Sequence, residues 1–237
     1  MVYGALWNVL NQKWLINRGG GASINFLLLM GPTIMIFLGL HVMNSIPFTF
    51  TLFYSWLLII PVVYLIKEKL PFFESLNSLG LNLNKRALLY GIYTGIFCLI
   101  IIFGCVSLLK SLFFDIPYLR ELLKEWGFSG KLLIVLIVLN PFLEEIYWRG
   151  FIFKKFKSKY GIYYTILITS LFYTLYHLLS IFPMFRWPLN ILGVIPIFAA
   201  GILWGYLRGK FNSLSGTISS HILADIGIIM VYLKFLT

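Results

Sequence analysis

The sequence predicts an all-α, polytopic transmembrane helical bundle of about seven spanning segments, with amphipathic helices at the N-terminus and over residues 110–130. Three observations point to it. Hydrophobic residues make up 60% of the 237-residue chain, against about 45–50% in soluble domains, and the mean hydropathy is +0.91. Only 11% of residues are charged. The apolar residues fall in runs of about twenty, the length that crosses a bilayer as a helix, and they do not alternate as β-barrel strands would. One water-soluble core cannot hide that much apolar surface.

The opening stretch MVYGALWNVLNQKWLINRGGG is short, aromatic and amphipathic, with no small-residue cleavage site. It is expected to lie in the membrane interface rather than to be a cleaved signal. Apolar runs follow at about 24–43, 47–66, 87–109, 131–152, 161–182, 188–207 and 213–236. Prolines and glycines interrupt the last three. The 110–131 connection carries Asp115, Glu121 and Glu125 and is expected to form an amphipathic surface helix. Gly91 with Gly95, and Gly201 with Gly205, make small-xxx-small pairs that suit close helix packing. The whole chain, 1–237, is expected to be one integral-membrane domain.

The net charge of +11 invites a nucleic-acid reading, but the basic residues cluster at the ends of apolar runs. No nucleic-acid partner is expected; the lipid bilayer is. Lys67, Lys69, Lys85, Arg86, the RGFIFKKFKSK cluster, Arg208 and Lys210 fall on one side of the predicted topology. By the positive-inside rule that side is cytoplasmic, and the N-terminus lies with it. Cys98 and Cys105, in one apolar run, imply neither a disulfide framework nor a zinc knuckle.

The eight acids divide informatively. Glu68, Glu74, Asp115, Glu121 and Glu125 fall in polar connections; Glu144, Glu145 and Asp225 fall within apolar runs. Ionisable groups inside a bilayer cost several kcal/mol unless paired or hydrated, so each is a functional candidate. The others are Arg149, His177 and His221. His41, in the first run, stands apart and is expected to be a packed or interfacial residue. Glu145 and Arg149 are i,i+4 and can pair, whereas Glu144 lies about 100° round the helix from Glu145 and is expected to face elsewhere. His221 and Asp225, in SSHILADI, also share an i,i+4 face; His177 has Tyr173 one turn earlier. Each pair has a structural reading, an ion pair or a helix–helix hydrogen bond. Together, two histidines and three acids on three helices suit water activation: a carboxylate in a low-dielectric site accepts and returns a proton, and a second polar pair supports an oxyanion.

These residues resemble the CPBP family of intramembrane endopeptidases, which includes CAAX-prenyl proteases and bacteriocin-processing and abortive-infection proteins. The family pattern EExxxR is Glu144, Glu145 and Arg149; FxxxH is Tyr173 to His177, with tyrosine for phenylalanine; HxxxN or HxxxD is His221 to Asp225. The resemblance spans roughly residues 131–230. It implies a protease core in a membrane cavity open to the cytoplasm. Glu144 and His177 would activate water, His221 and Asp225 would stabilise the oxyanion, and Glu145 and Arg149 would shape the site. A metal-free glutamate mechanism is favoured, with no cofactor. Zinc stays open, and Glu144, His177 and His221 would be its ligands, although they lack the HExxH spacing.

Depth leaves a mismatch. Glu144 and His221 fall about 10 Å from the inner boundary, whereas His177, counted from Tyr160, falls about 25 Å deep. The expected substrate is a small peptide or a membrane-associated protein. The lysine- and isoleucine-rich chain looks bacterial, which favours peptide maturation in a bacterial plasma membrane over prenylated substrates. The alternatives are a non-catalytic immunity or scaffold protein on the same fold, and a proton-coupled transporter, for which the repeat symmetry is missing.

Overall fold

The computed structural model describes residues 23–237, so the expected N-terminal interfacial helix lies outside the described residues. Every regular element in the described chain is helical. Six helices are long and apolar enough to cross a membrane: α1 (Ser23–Val42), α2 (Ile46–Glu68), α4 (Lys85–Phe113), α8 (Ile162–Ile181), α10 (Val194–Phe211, preceded by the short α9, Leu189–Leu192) and α11 (Ser215–Phe235). Each coincides with an apolar run read from the sequence. The break between α9 and α10 falls at Gly193.

The fourth run, 131–152, differs from expectation. It is α6 (Leu132–Glu145) and a π-wound stretch (Ile146–Ile152), joined end to end with α7 (Phe153–Tyr160) beyond it. The seventh span is therefore not one long apolar α-helix, and among the described residues the count of such helices is six. The physical reason is its composition. Glu144, Glu145 and Arg149 interrupt the apolar run, and the lysine-rich α7 follows it directly.

Three helix pairs and a central column make up the bundle, one of the pairs being α1 with α2. α4 packs along α11, and α8 along α10. The α6–π–α7 column lies between them, touching α11, α8, α10 and α2. The glycine pairs explain the close approaches. A Cβ on Gly91 would strike the Gly216 carbonyl and the Ser219 hydroxyl, and one on Gly95 would sit 2.9 Å from Ser220 Cα. A Cβ on Gly201 would sit 3.0 Å from Ser170, and one on Gly205 3.1 Å from Ile166.

Both ends of the bundle are sealed by connections. At one end, α3 (Phe72–Leu79), a helix the apolar runs did not reveal, closes on Gly80 at φ 88°. A left-handed C-cap of this kind favours glycine. The Gly80 carbonyl then accepts from the Leu214 backbone N–H at 2.7 Å. Lys154 of α7 reaches Glu68 at 2.6 Å and Ser78 at 3.0 Å there. At the other end, α5 (Ile116–Glu125) is the amphipathic helix expected over 110–130. Its Leu119 packs with Phe114, Val231 and Phe235, and Arg120 donates to the Phe235 carbonyl at 3.1 Å. His41 contributes at this end too, bonding the Leu179 carbonyl at 2.9 Å. Cys98 and Cys105 are free.

Replacing Gly91 by leucine is expected to destabilise the bundle by about 1–3 kcal/mol through overpacking. Gly104→Leu, where an added Cβ meets nothing within 4 Å, is expected to leave thermal unfolding in detergent within a degree or two of the wild type. Equal melting temperatures for the two variants would refute the packing account.

Asp115 offers a pH test outside the spans. The Tyr118 backbone N–H caps its carboxylate, and Arg186 pairs with it at 2.9 Å, which together hold the carboxyl below its usual range. A depressed folded value means the contribution is complete above the ordinary carboxylate range, near pH 4, and is lost as pH falls below it. Asp115→Asn is expected to flatten the decline of melting temperature between pH 5 and pH 3; unchanged slopes would show that the clamp contributes nothing.

Candidate active site

The site grows from the C-terminal half of α6. Asn140, Pro141, Glu144 and Glu145 are all buried there. Proline removes one backbone donor from the helix interior, and within two turns the winding widens into the π stretch. All residues of that stretch from Tyr147 to Ile152 are buried. Tyr147 holds it in place by donating to the Leu28 carbonyl at 2.6 Å and accepting from Trp56 Nε1 at 2.9 Å. π-Winding of this kind occurs mostly at functional sites.

Arg149, on the π stretch, has a fully buried side chain and so does Glu145. Its guanidinium donates to Glu145 Oε1 at 3.0 Å and to the Gly201 carbonyl at 3.3 Å. It also lies over the Tyr173 ring at 4.5 Å and near Trp204 at 5.2 Å. The absence of a side chain at Gly201 lets α10 pack against Ser170 of α8, where an added Cβ would come within 3.0 Å. Behind this group, Arg208 Nε donates to the Arg149 backbone carbonyl at 2.9 Å. That carbonyl belongs to the widened stretch, so the second arginine supplies a donor where the helical ladder is altered.

His221, on α11, closes the cluster. Its Nδ1 bonds Glu145 Oε1 at 3.0 Å. Its Nε2 lies 3.8 Å from Glu144 Oε2 and 3.7 Å from Asp225 Oδ1. Trp204 stacks on the imidazole, centroids 4.2 Å apart and planes 19° from parallel. The indole N–H is satisfied by Ser220 Oγ at 3.0 Å, and Ser220 in turn accepts from Thr94 of α4 at 3.1 Å. The ring plane of His221 is thus fixed by stacking and by one charged acceptor.

The two glutamates therefore do not face apart as the 100° helical offset suggested. Both reach the same imidazole, one at each nitrogen. What separates them is partnership. Glu145 Oε1 accepts from both Arg149 and His221. The Oε2 atoms of both glutamates are buried without a hydrogen-bond partner, so the difference is the pair of donors on Glu145 Oε1. The Tyr176 hydroxyl lies against the Glu144 carboxyl, but it too is without a well-formed hydrogen bond.

Of the six residues singled out from the sequence, five converge: Glu144, Glu145, Arg149, His221 and Asp225. His177 stands one turn further along α8. Its Nδ1 bonds the Tyr173 carbonyl at 2.9 Å, and its ring lies 4.5 Å from Tyr173 and 4.4 Å from Tyr176. No hydrogen bond or ion pair joins it to the carboxylates. The depth mismatch of the sequence reading narrows here, because helical side chains lean toward their own N-terminus. Glu144 on α6 and His177 on α8, which run in opposite directions, lean toward each other's level, and the Tyr173 and Tyr176 rings fill what remains.

Residues that sequence reading missed complete the site. Tyr54 of α2 donates to Asn140 Oδ1 at 3.2 Å, and Asn140 Nδ2 donates to Asp225 Oδ2 at 3.2 Å. Asn140 had a signal, being polar in an apolar run and four residues before Glu144. Tyr54 and Tyr176 had none among 14 tyrosines.

Residues 126–227 match the family model of the Rce1-like type II CAAX prenyl endopeptidases. This segment is similar to the CAAX-protease domain of that family. It begins at buried Trp126 and ends two residues beyond Asp225, so all six candidates fall inside it. No curated protein and no solved structure matches the chain. The family is of the intramembrane hydrolase type, in agreement with the multi-pass bundle around the CAAX-protease segment. Glu144, His177 and His221, the residues that would hold zinc, are not drawn together: among the described residues no three His, Cys, Asp or Glu side chains are grouped to hold a metal ion.

Arg149→Ala is expected to destabilise the CAAX-protease segment by about 3–5 kcal/mol, because it leaves Glu145 charged and buried. The double change Arg149→Met with Glu145→Leu is expected to recover part of that loss. A melting temperature for Arg149→Ala equal to wild type would contradict the buried ion pair.

Proposed function

We propose that the protein is an intramembrane endopeptidase in which Glu144 activates the attacking water. The observation that carries this reading is the contrast between the adjacent acids: Glu145 Oε1 accepts from both Arg149 and His221, while Glu144 has no such donors and its buried Oε2 lies 3.8 Å from Nε2 of the fixed imidazole. An uncommitted carboxylate in a dry site is suited to general base work. Water delivers its proton to Glu144, and its oxygen attacks the scissile carbonyl carbon. The carbonyl π electrons pass to oxygen, where His221, carrying a proton on Nε2, donates to the oxyanion with Asp225 behind it. Collapse breaks the C–N bond, and Glu144 returns the proton to the departing amine. Glu145 and Arg149 hold His221 in register. His177 lines the approach beside Tyr173 and Tyr176, where it orients the water or the substrate backbone. The protease core comprises about residues 131–230 of a single membrane domain.

The substrate class we favour is a small peptide precursor or a membrane-associated protein in a bacterial plasma membrane. The end of the bundle bearing Lys154, Lys155, Lys157 and Lys159 would face the cytoplasm, with the N-terminus. Bacteriocin processing or quorum-signal maturation is the corresponding biological role.

Cleavage of a quenched fluorescent peptide library by protein reconstituted in liposomes is the test. Wild type is expected to cleave, Glu144→Ala to lose at least about a thousandfold in kcat, and His177→Ala to lose about ten- to a hundredfold. A metal chelator is expected to change nothing. Complementation of a deletion strain by Glu144→Ala would instead establish a non-catalytic immunity or scaffold role.

A further inference from the structure

Asn140 is the unexplained polar residue of the site. It lies one helical turn before Glu144 on α6, so the two side chains share a face. Its placement is tightly set. Tyr54 donates to Oδ1 and Asp225 accepts from Nδ2, both at 3.2 Å. A hydroxyl donor on one side and a carboxylate on the other leave a single sensible orientation of the amide: oxygen toward α2, nitrogen toward α11. The amide nitrogen carries two N–H groups, and only one is used by Asp225. Asn140 is buried, with 8% of its surface exposed, and so is Asp225 at 8%.

Asp225 is an awkward oxyanion donor, because an ionised carboxylate only accepts. On α11 the group that lies against His221 Nε2 is Asp225 itself, at 3.7 Å. The amide across the gap supplies a neutral donor. Resting on the protease reading above, we propose that Asn140 is a catalytic donor: its second N–H, together with His221, stabilises the oxyanion, while Asp225 anchors the amide and Tyr54 is the positioning residue that fixes its orientation. The acid and the amide have their usual chemical roles, but they sit on opposite helices, and the substrate carbonyl would be bound between Asn140 on α6 and His221 on α11. The bond-making step is unchanged. As water adds to the carbonyl carbon and its proton moves to Glu144, negative charge grows on the carbonyl oxygen, and the Asn140 N–H donates to it without being transferred.

The test uses the full chain in liposomes with the peptide substrate found for the wild type. Asn140→Ala is expected to lower kcat by about 10²–10³-fold, the cost of one oxyanion donor, with KM changed less than threefold. Asn140→Asp, which faces Asp225 with a second carboxylate, is expected to lose at least as much. The exchange Asn140→Asp with Asp225→Asn moves the amide to the other helix and is expected to recover at least tenfold over Asn140→Asp alone. Tyr54→Phe is expected to cost about tenfold in kcat, again with KM held. Melting temperatures in detergent are measured on every variant, and Asn140→Ser, which keeps a shorter donor, is the second variant should Asn140→Ala unfold; it is expected to retain more kcat than Asn140→Ala or, failing that comparison, to lie between Asn140→Asp and wild type. A wild-type kcat in folded Asn140→Ala, or an exchange variant no better than Asn140→Asp, overturns the donor role while leaving the protease reading standing. Absence of cleavage by wild type overturns both.

Discussion

The structure depends on one carboxylate oxygen. Glu145 Oε1 accepts from Arg149 and from His221, and through those two residues it ties α6, the π-wound stretch and α11 into one unit. Arg149 extends the tie to α10 through the Gly201 carbonyl. Burying a glutamate and an arginine in a membrane interior is expensive unless nearly every donor and acceptor is used. The surrounding features answer part of that demand: the Gly201 carbonyl on one guanidinium nitrogen, aromatic faces over the guanidinium, and a second arginine on the Arg149 carbonyl, while Arg149 Nε and Glu145 Oε2 stay buried without a hydrogen-bond partner.

Once Glu145 is spent in this way, its neighbour acquires a different character. Glu144 shares the same histidine but not the same bonds. Two identical side chains, adjacent in sequence, are divided into a structural anchor and a free acceptor by which nitrogen of His221 each one meets. The rigid indole beneath the imidazole makes that division durable, since rotating His221 would break the stack and the Glu145 bond together. The tyrosines 173 and 176 complete the enclosure from α8 and carry His177 on its far side.

Much of this was legible in the sequence. The apolar runs located the six long helices, and the i,i+4 spacing of Glu145 and Arg149 announced their pairing. The split of acids between connections and apolar runs marked Glu144, Glu145 and Asp225, which the fold brings around His221. Other features depend on facts no local pattern carries. An α-helical wheel places Glu144 and Glu145 on different faces, but α11 approaches α6 closely enough for one ring to meet both. The winding of 146–152 has no sequence signature beyond its burial of Tyr147, Trp148 and Arg149. α3 is only eight residues long, too short for a spanning pattern and too mixed for a turn. Tyr54 contributes through a single hydroxyl from a helix distant in sequence.

The π-wound stretch also bears on how this chain is to be compared with others. A turn closed from residue i to i+5 holds one more residue than an α turn. Between Glu145, fixed by Arg149 and His221, and Lys154, fixed by Glu68 at 2.6 Å, the widened stretch sets the chain length. A relative that kept both anchor points but wound this region as plain α-helix would be shorter here. An alignment forced through without a gap would then match the glutamates correctly and misplace every lysine of α7, or the reverse. Residues 146–152 are where such a gap belongs.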